Sequence, residues 1–535
     1  MSTHPVKKRG STHFLTPKLL SALDKCKVSD RDAMHLIVAT AEALNCDIKH
    51  FVLNRTSLQH SRKEFRQEKA KELQDNFLLK QMEFLVVHWD TKLLPYLSEH
   101  TKVDRLPVVV SFQGNTQLLG VPKIEAGTGK KQAEAVLHTL SEWGVTEKVQ
   151  AVCCDTTAAN TGCVNGACVL LEELMERDLL YLPCRHHIFE IVLRSVFMVK
   201  MNLPTSGPDV MIFKRFQETW PNINTAHFEN GCEDTFVRTA IQDIRDDTVA
   251  FCLKCLNSLQ DRDDYKELLE LTIIFLGVLP PRGIVFKYPG AFHHARWMSK
   301  AIYCLKIFMF RKQFHLTVTE ENAVRDICIF LVHSYVVTWF TAPNAIQAPL
   351  NDFMFLKKLV EYNDSLISST ALGKFCGHLW YLSPEAVALA FFDLGLPKDI
   401  KMNMVQAAIH GMDSEDSSVK RIVIRPMDVK NYISKDISQF VTRKTLAFFT
   451  RFGVSTDFLQ TDPDEWEERD DYKKGLKIAA ELSVTNDIAE RGIKLIEEYN
   501  NILTKNESQK QFLLQVICDY RQRYPDSKKE TLLNK

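Results

Sequence analysis

Between residues 84 and 200 the hydrophobic period changes in a fixed order that few folds can accommodate. FLVVHWD (84–90), LPVVVSFQ (106–113) and TQLLGVPKI (116–124) are short apolar runs rich in β-formers, the last two separated by the turn dipeptide Gly114-Asn115. KKQAEAVLHTLSEWG (130–144) places its apolar residues near a 3.6-residue period and ends on Gly144, the pattern of an amphipathic helix. KVQAVCCD (148–155) is continuously apolar, as a strand covered on both faces requires. After the loop TTAANTG come a helix (NGACVLLEELMER), a strand (LLYLPC) and a helix (RHHIFEIVLRSVFMV). The predicted order is β-β-β-α-β-α-β-α.

Few small α/β folds join a three-stranded meander to alternating helices and parallel strands. This order is the layout of the RNase H-like fold, in which the first and fourth strands are neighbours. Asp90 closes the first strand and Asp155 the fourth. Both carboxylates are therefore expected above the carboxyl ends of adjacent strands, where open α/β sheets place their sites. Two close carboxylates repel unless a cation lies between them. Such oxygen-rich sites suit Mg²⁺ or Mn²⁺, and a pair of these ions ~4 Å apart can assist both the attacking and leaving oxygens of phosphodiester cleavage. The bland alternative is that an Asp after a strand is a cap or turn residue, which Asp155 before Thr156-Thr157 also suits.

At 535 residues the chain exceeds a single hydrophobic core. Residues 15–80 read as helical, with apolar spacing near 3.6 in LTPKLLSALD and RDAMHLIVATAEALN. The helix SRKEFRQEKAKELQDNF reads first as a solvated face, with a DNA-backbone contact as the alternative. Beyond residue 200, helical patterns such as DYKELLELTIIFLGVL, WMSKAIYCLKIFMFRKQF, DICIFLVHSYVVTWF and PEAVALAFFDLGL run without a fixed repeat.

Lys+Arg and Asp+Glu each number 67, which excludes a globally basic protein, so any nucleic-acid surface must be a local patch. No apolar run of transmembrane length is expected, and so no membrane. The stretch MSTHPVKKRGSTHF lacks the apolar core of a signal peptide. The fourteen cysteines, in segments such as AVCCD and AIYCLKIF, read as reduced buried thiols. These readings point to cytosol or nucleus, with Lys7-Lys8-Arg9 a weak nuclear signal. Cys252 and Cys255 lack the second pair a zinc ribbon needs, and FCLKCLNSL reads as one helix face.

A third acid must come from a helix packed back on the sheet. ELSVTNDIAERGIKLIEEYN (481–500) resembles the C-terminal signature of the hAT transposase superfamily, in which a Glu-Arg pair follows a small or polar stretch. By that resemblance Glu490 completes the acidic triad and Arg491 is its neighbour. Asp487, one turn earlier on the same face, is the fallback, while Glu497 and Glu498 read as solvated. Cys184-Arg185-His186-His187 resembles the family's C-x-x-H element, and Arg296-Trp297-Met298-Ser299 its R-W-x-S element. Cys184 and His187, two residues too few for zinc, read as site-organising or DNA-contacting. Arg296 and Trp297 read likewise, with a core Trp as the bland alternative to base stacking. The chain departs from the family in having no N-terminal zinc finger and in carrying Gly492-Ile493 where Phe-Ser often follows the Glu-Arg pair.

The resemblance implies an RNase H-like core interrupted by a large all-α insertion. Residues 1–80 would form an N-terminal helical region, 81–200 the first part of the core and 201–475 the insertion. Residues 476–535 would then carry the final core helix and a dimerisation-type region. It further implies a nuclear, Mg²⁺- or Mn²⁺-dependent, homo-oligomeric DNA transposase with Asp90, Asp155 and Glu490 as catalytic metal ligands. The rivals are a catalytically silent domesticated DNA-binding or scaffold protein, an RNase H-like nuclease on hybrids or free ends, and a helical interaction protein whose acids only cap. EAGTGKKQ is not a P-loop, because Ile124 and Lys131 stand where Gly and Ser/Thr are needed. Lys130 and Lys131 remain candidates for salt-sensitive contact with a DNA backbone.

Overall fold

Leu85–Trp89 has no exposed position, and such a strand must lie inside a sheet covered on both faces. The strands, in chain order, are β1 (Leu85–Trp89), β2 (Lys92–Tyr96), β3 (Ser98–Arg105), β4 (Val108–Phe112), β5 (Asn115–Gly120), β6 (Lys123–Ile124), β7 (Val149–Cys153) and β8 (Leu180–Tyr181). The computed structural model describes residues 14–47, 51–96, 98–202, 210–258, 262–289, 298–411, 419–500, 502–526 and 528–533, without the side chains of 95–101 and 530. The fold is mixed α/β, and its main sheet combines parallel and antiparallel pairs in the order β5-β4-β1-β7-β8. β1 is antiparallel to β4 and parallel to β7. The continuous apolar runs at β1, β4 and β7 thus occupy the interior of the sheet.

Three local readings are corrected. A hairpin of β2 and β3, absent from the predicted order, lies between β1 and β4 in the chain and pairs with β6 as a second sheet. The β4–β5 turn is centred on Gln113 and Gly114, both at positive φ, while Asn115 already pairs with Phe112 in the ladder. Two left-handed residues give the turn the twist a tight hairpin needs. Finally, PEAVALAFF is not an α-helix: Ala386–Phe392 runs as a 3₁₀-helix with all seven residues buried.

The chain divides into two compact units, Met1–Leu179 with Asn486–Lys535, and Leu180–Thr485. In the first unit the C-terminal helix Glu507–Arg523 lies along β5. Gln511 accepts from Val121 N and donates to Val121 O, and Gln515 donates to Leu119 O. These amides satisfy backbone groups that a sheet edge would otherwise leave open. The helix Asp487–Tyr499 packs on β4 and β1, its Leu495, Ile496 and Tyr499 joining Leu94, Val109, Leu118 and Val121 in one core.

The N-terminal helices Pro17–Lys25, Asp30–Ala43 and Arg55–Leu78 share a core of Leu20, Leu23, Ala33, Leu58 and Phe65 with Val516. The basic residues of the third helix are not all solvated. Arg62 and Arg66 are buried against Asp24, and Arg62 also reaches Asp30.

The second unit is helical beyond β8. The helix Val318–Thr341 is long and apolar enough to span a membrane, contrary to the expected lack of such a run. Its most apolar window is 72% buried inside the protein, which is the condition of a core helix. It is interrupted by a π-helical turn at Leu331–Tyr335.

Candidate active site

The parallel ladder of β1 and β7 pairs His88 with Cys153. Two residues beyond that pair, just past the ends of β1 and β7, stand Asp90 and Asp155. The acids therefore occupy equivalent positions at the carboxyl ends of neighbouring parallel strands, both half-buried. Glu490 lies in the first turn of the helix Asp487–Tyr499, together with Asp487. The positive end of the helix dipole favours carboxylates there, so both acids also suit a purely structural role.

Two asparagines tie these parts together. Asn486, buried just before that helix, does not cap it; its amide donates to Trp89 O at 2.7 Å. The Trp89 indole donates to Asn160 Oδ1 at 2.9 Å, and Asn160 Nδ2 donates to Asp155 Oδ1 at 2.7 Å. Asp155 Oδ1 also accepts from Thr157 N at 2.9 Å and from the Thr157 hydroxyl at 2.6 Å. Three donors on one oxygen fix the plane of that carboxylate, and the turn they form is the one its Thr-Thr sequence suggested. His88, beneath Asp90 in β1, hydrogen-bonds Ser111 Oγ at 2.8 Å; burial drives its pKa down to about 4, opposed by contact with Asn486. Asn160, Asn486 and Trp89 were not singled out in the sequence. Asn486 carried one signal, as an Asn immediately before an acidic first turn.

The loop before the helix Gly129–Glu142 reaches the same region. A Cβ on Gly129 would meet the backbone of Asn165 at 2.1 Å and of Ala159 at 2.7 Å, in the segment that follows Asp155. Gly129 of EAGTGKK is thus a packing glycine. Lys130 is exposed, whereas Lys131 bridges Glu125 at 3.0 Å and Glu134 at 3.3 Å, which raises its pKa.

Gly492 has a packing reason of its own. A Cβ there would lie 2.6 Å from Pro107 Cβ, so the helix comes against the sheet only with glycine at this position. Alanine would gain about 1 kcal/mol of helix propensity, but overpacking a close contact costs about 1–3 kcal/mol. Gly492→Ala is expected to lower the urea midpoint despite its better propensity. A raised midpoint would show that the contact is loose.

Arg491 is exposed beside Glu490. Glu497 and Glu498 are not simply solvated: they pair with Lys92 and Arg521. Cys184 and His187 belong to the second unit, at the start of the helix Arg185–Met201. Cys184 is buried and His187 half-buried, beside His378. Arg296 and Trp297 lie outside the described residues. Cys252 is buried within the helix Arg245–Leu256, as expected of a helix face.

Three carboxylates with no thiolate are the kind of donor that suits a hard cation. Register brings two of them to one strand end, and Asn486 ties the third's helix to the same strand. As placed, however, no three His, Cys, Asp or Glu side chains among the described residues already form a cluster that could hold a metal ion. Asp155 keeps one oxygen on its three donors and could offer the other. The residues fit Mg²⁺ or Mn²⁺ in kind and in strand position. No protein-family model matches the chain, and no curated protein matches it in sequence.

Proposed function

We propose that the first unit is an RNase H-like nuclease core of the hAT transposase type, acting on DNA in the nucleus as a homo-oligomer. The observation that carries this reading is the equivalence of Asp90 and Asp155 on adjacent parallel strands, with the Glu490 helix tethered to the same strand end through Asn486 and Trp89 O. The order β5-β4-β1-β7 of the first unit's strands supports the fold assignment.

Asp90, Asp155 and Glu490 would hold Mg²⁺ or Mn²⁺, which when bound supplies activation of the attacking oxygen and charge stabilisation of the leaving one. Asn160 and the Thr157 hydroxyl hold the Asp155 carboxylate in one orientation, so little reorganisation is needed when a scissile phosphate arrives. Lys130, exposed on the helix beside the loop after Asp155, supplies positive charge to a DNA backbone.

The test is metal-dependent nicking of supercoiled DNA by wild type, Asp155→Asn and Glu490→Gln. Wild type is expected to nick in Mg²⁺ or Mn²⁺, and each variant to lose roughly a hundredfold or more, the scale of removing one charge-stabilising group. Equal behaviour of all three sinks the nuclease reading. A second reading, a catalytically silent DNA-binding or scaffold protein, is favoured by the engagement of Asp155 Oδ1 in its own turn and by the open arrangement of the three acids. It predicts DNA binding without nicking.

A further inference from the structure

The second unit gathers cations around two buried rings. The segment from Lys420 to Arg425 is held as an extended strip, with Ile422 N bonded to Leu379 O at 3.1 Å and Ile424 N to Cys376 O at 3.0 Å. That geometry lays Lys420 over the Tyr181 ring at 4.8 Å and Arg421 over the Trp380 ring at 5.1 Å. The two rings are themselves neighbours, with centroids 6.4 Å apart. Arg421 also donates to Gly377 O at 3.3 Å, at the end of the helix Ser365–Phe375 that carries exposed Lys374.

His378 reports the resulting field. Burial, then the positive charges of Arg421, His187 and Lys374, hold its pKa down to about 4. In a chain of zero net charge, such a concentration of cations is local by construction.

We propose that Lys374, Lys420 and Arg421 form a phosphate-backbone contact for duplex DNA on the second unit. The choice of DNA as partner rests on the function proposed above. Tyr181 and Trp380 are 4% and 2% exposed, so they steady the cations and do not stack on bases. The contact is therefore with phosphates and independent of sequence. Backbone contacts of this kind release counterions, each adding ~0.9 to the slope of log affinity against log salt.

The experiment is fluorescence anisotropy of the full chain with a short duplex of arbitrary sequence, over a salt series in EDTA, so that cleavage plays no part. Lys374→Gln/Lys420→Gln/Arg421→Gln is expected to make the salt slope shallower by about 2–3 and to weaken binding at moderate salt by on the order of tenfold per lost contact. Arg421 and Lys420 pack on rings, so exposed Lys374→Glu provides the variant with least risk to folding; its slope is expected to fall by about 1. Lys254→Glu, exposed on the helix Arg245–Leu256, serves as the charge control and is expected to leave the slope unchanged. An unchanged slope in the triple variant and in Lys374→Glu overturns the proposal, as does an equal loss in Lys254→Glu. Retained DNA binding with lost binding to polyglutamate overturns it in favour of an acidic protein segment. Failure here leaves Asp155-dependent nicking in Mg²⁺ intact, and loss of nicking leaves the slopes intact, so the two readings fail separately.

Discussion

Asp24→Ala is expected to destabilise the first unit by about 3–5 kcal/mol, the cost of removing one partner from a buried ion network. Asp24 is fully buried, and its carboxylate answers two buried guanidiniums. Arg62 Nε and Nη2 reach Oδ1 at 2.9 and 2.6 Å, while Arg66 Nε reaches Oδ2 at 2.7 Å and Nη2 reaches Oδ1 at 2.7 Å. Without Asp24, Arg62 keeps Asp30 and Val28 O, but Arg66 loses the carboxylate on which both of these bonds end. The loss should appear as faster hydrogen exchange in Pro17–Lys25 and Arg55–Leu78, with a lower urea midpoint. Asp24→Asn, which keeps shape but not charge, should fall between the two. Wild-type protection in those helices after Asp24→Ala would mean that the network is solvated and carries little.

The second large effect is a pH dependence centred on Glu190. Its carboxyl is buried in the helix Arg185–Met201 and accepts the Tyr335 hydroxyl at 2.6 Å, from the π-helical turn. Burial pushes its pKa up to about 8, with Lys300 and the Tyr335 bond pulling the other way. The unfolded carboxyl titrates near 4.5, so below that pH both states hold the proton and the full stability is present. Between 4.5 and 8 only the folded state holds it, and stability falls as pH rises. At ~1.4 kcal/mol per unit, the loss approaches about 5 kcal/mol above pH 8. Glu190→Gln keeps an acceptor for Tyr335 and removes the titration. It should match wild type near pH 5 and exceed it by several kcal/mol near pH 9, read as the difference in urea midpoints. His88, whose pKa burial drives down, acts in the opposite sense and in a lower window: its contribution is present above 6.5 and lost as pH falls toward 4. Comparing variant with wild type separates the two. Parallel pH curves would show that Glu190 is hydrated and ionised in the fold.

How far the chain was legible depends on how local each signal is. β1, β4 and β7 are legible as short apolar runs rich in β-formers, because a strand covered on both faces is mostly apolar. β2 and β3 were missed because TKLLPYLSEHTKVDR mixes charge with Pro95, which suits a small outer sheet and gives no alternating pattern. The tandem position of Asp90 and Asp155 followed from strand order alone. Glu490 did not: its helix contacts strands some four hundred residues earlier, which no local period encodes, and only family resemblance singled it out. Asn160 and Asn486 escaped for the same reason, since their partners are set by tertiary placement. Arg62 and Arg66 looked like a solvated face because their counter-charge lies 38 and 42 residues away.

On the proposed function, Asp90, Asp155 and Glu490 together make one divalent-cation site. Calorimetric titration of Mn²⁺ into the full chain, beside Asp90→Asn, Asp155→Asn and Glu490→Gln, tests it most directly. Wild type is expected to bind saturably, and each variant to lose roughly tenfold or more, at least the effect of disturbing a metal's outer-shell partners. Absence of saturable binding by wild type, or variants that bind as wild type does, would contradict it and leave the three acids as caps and turn residues.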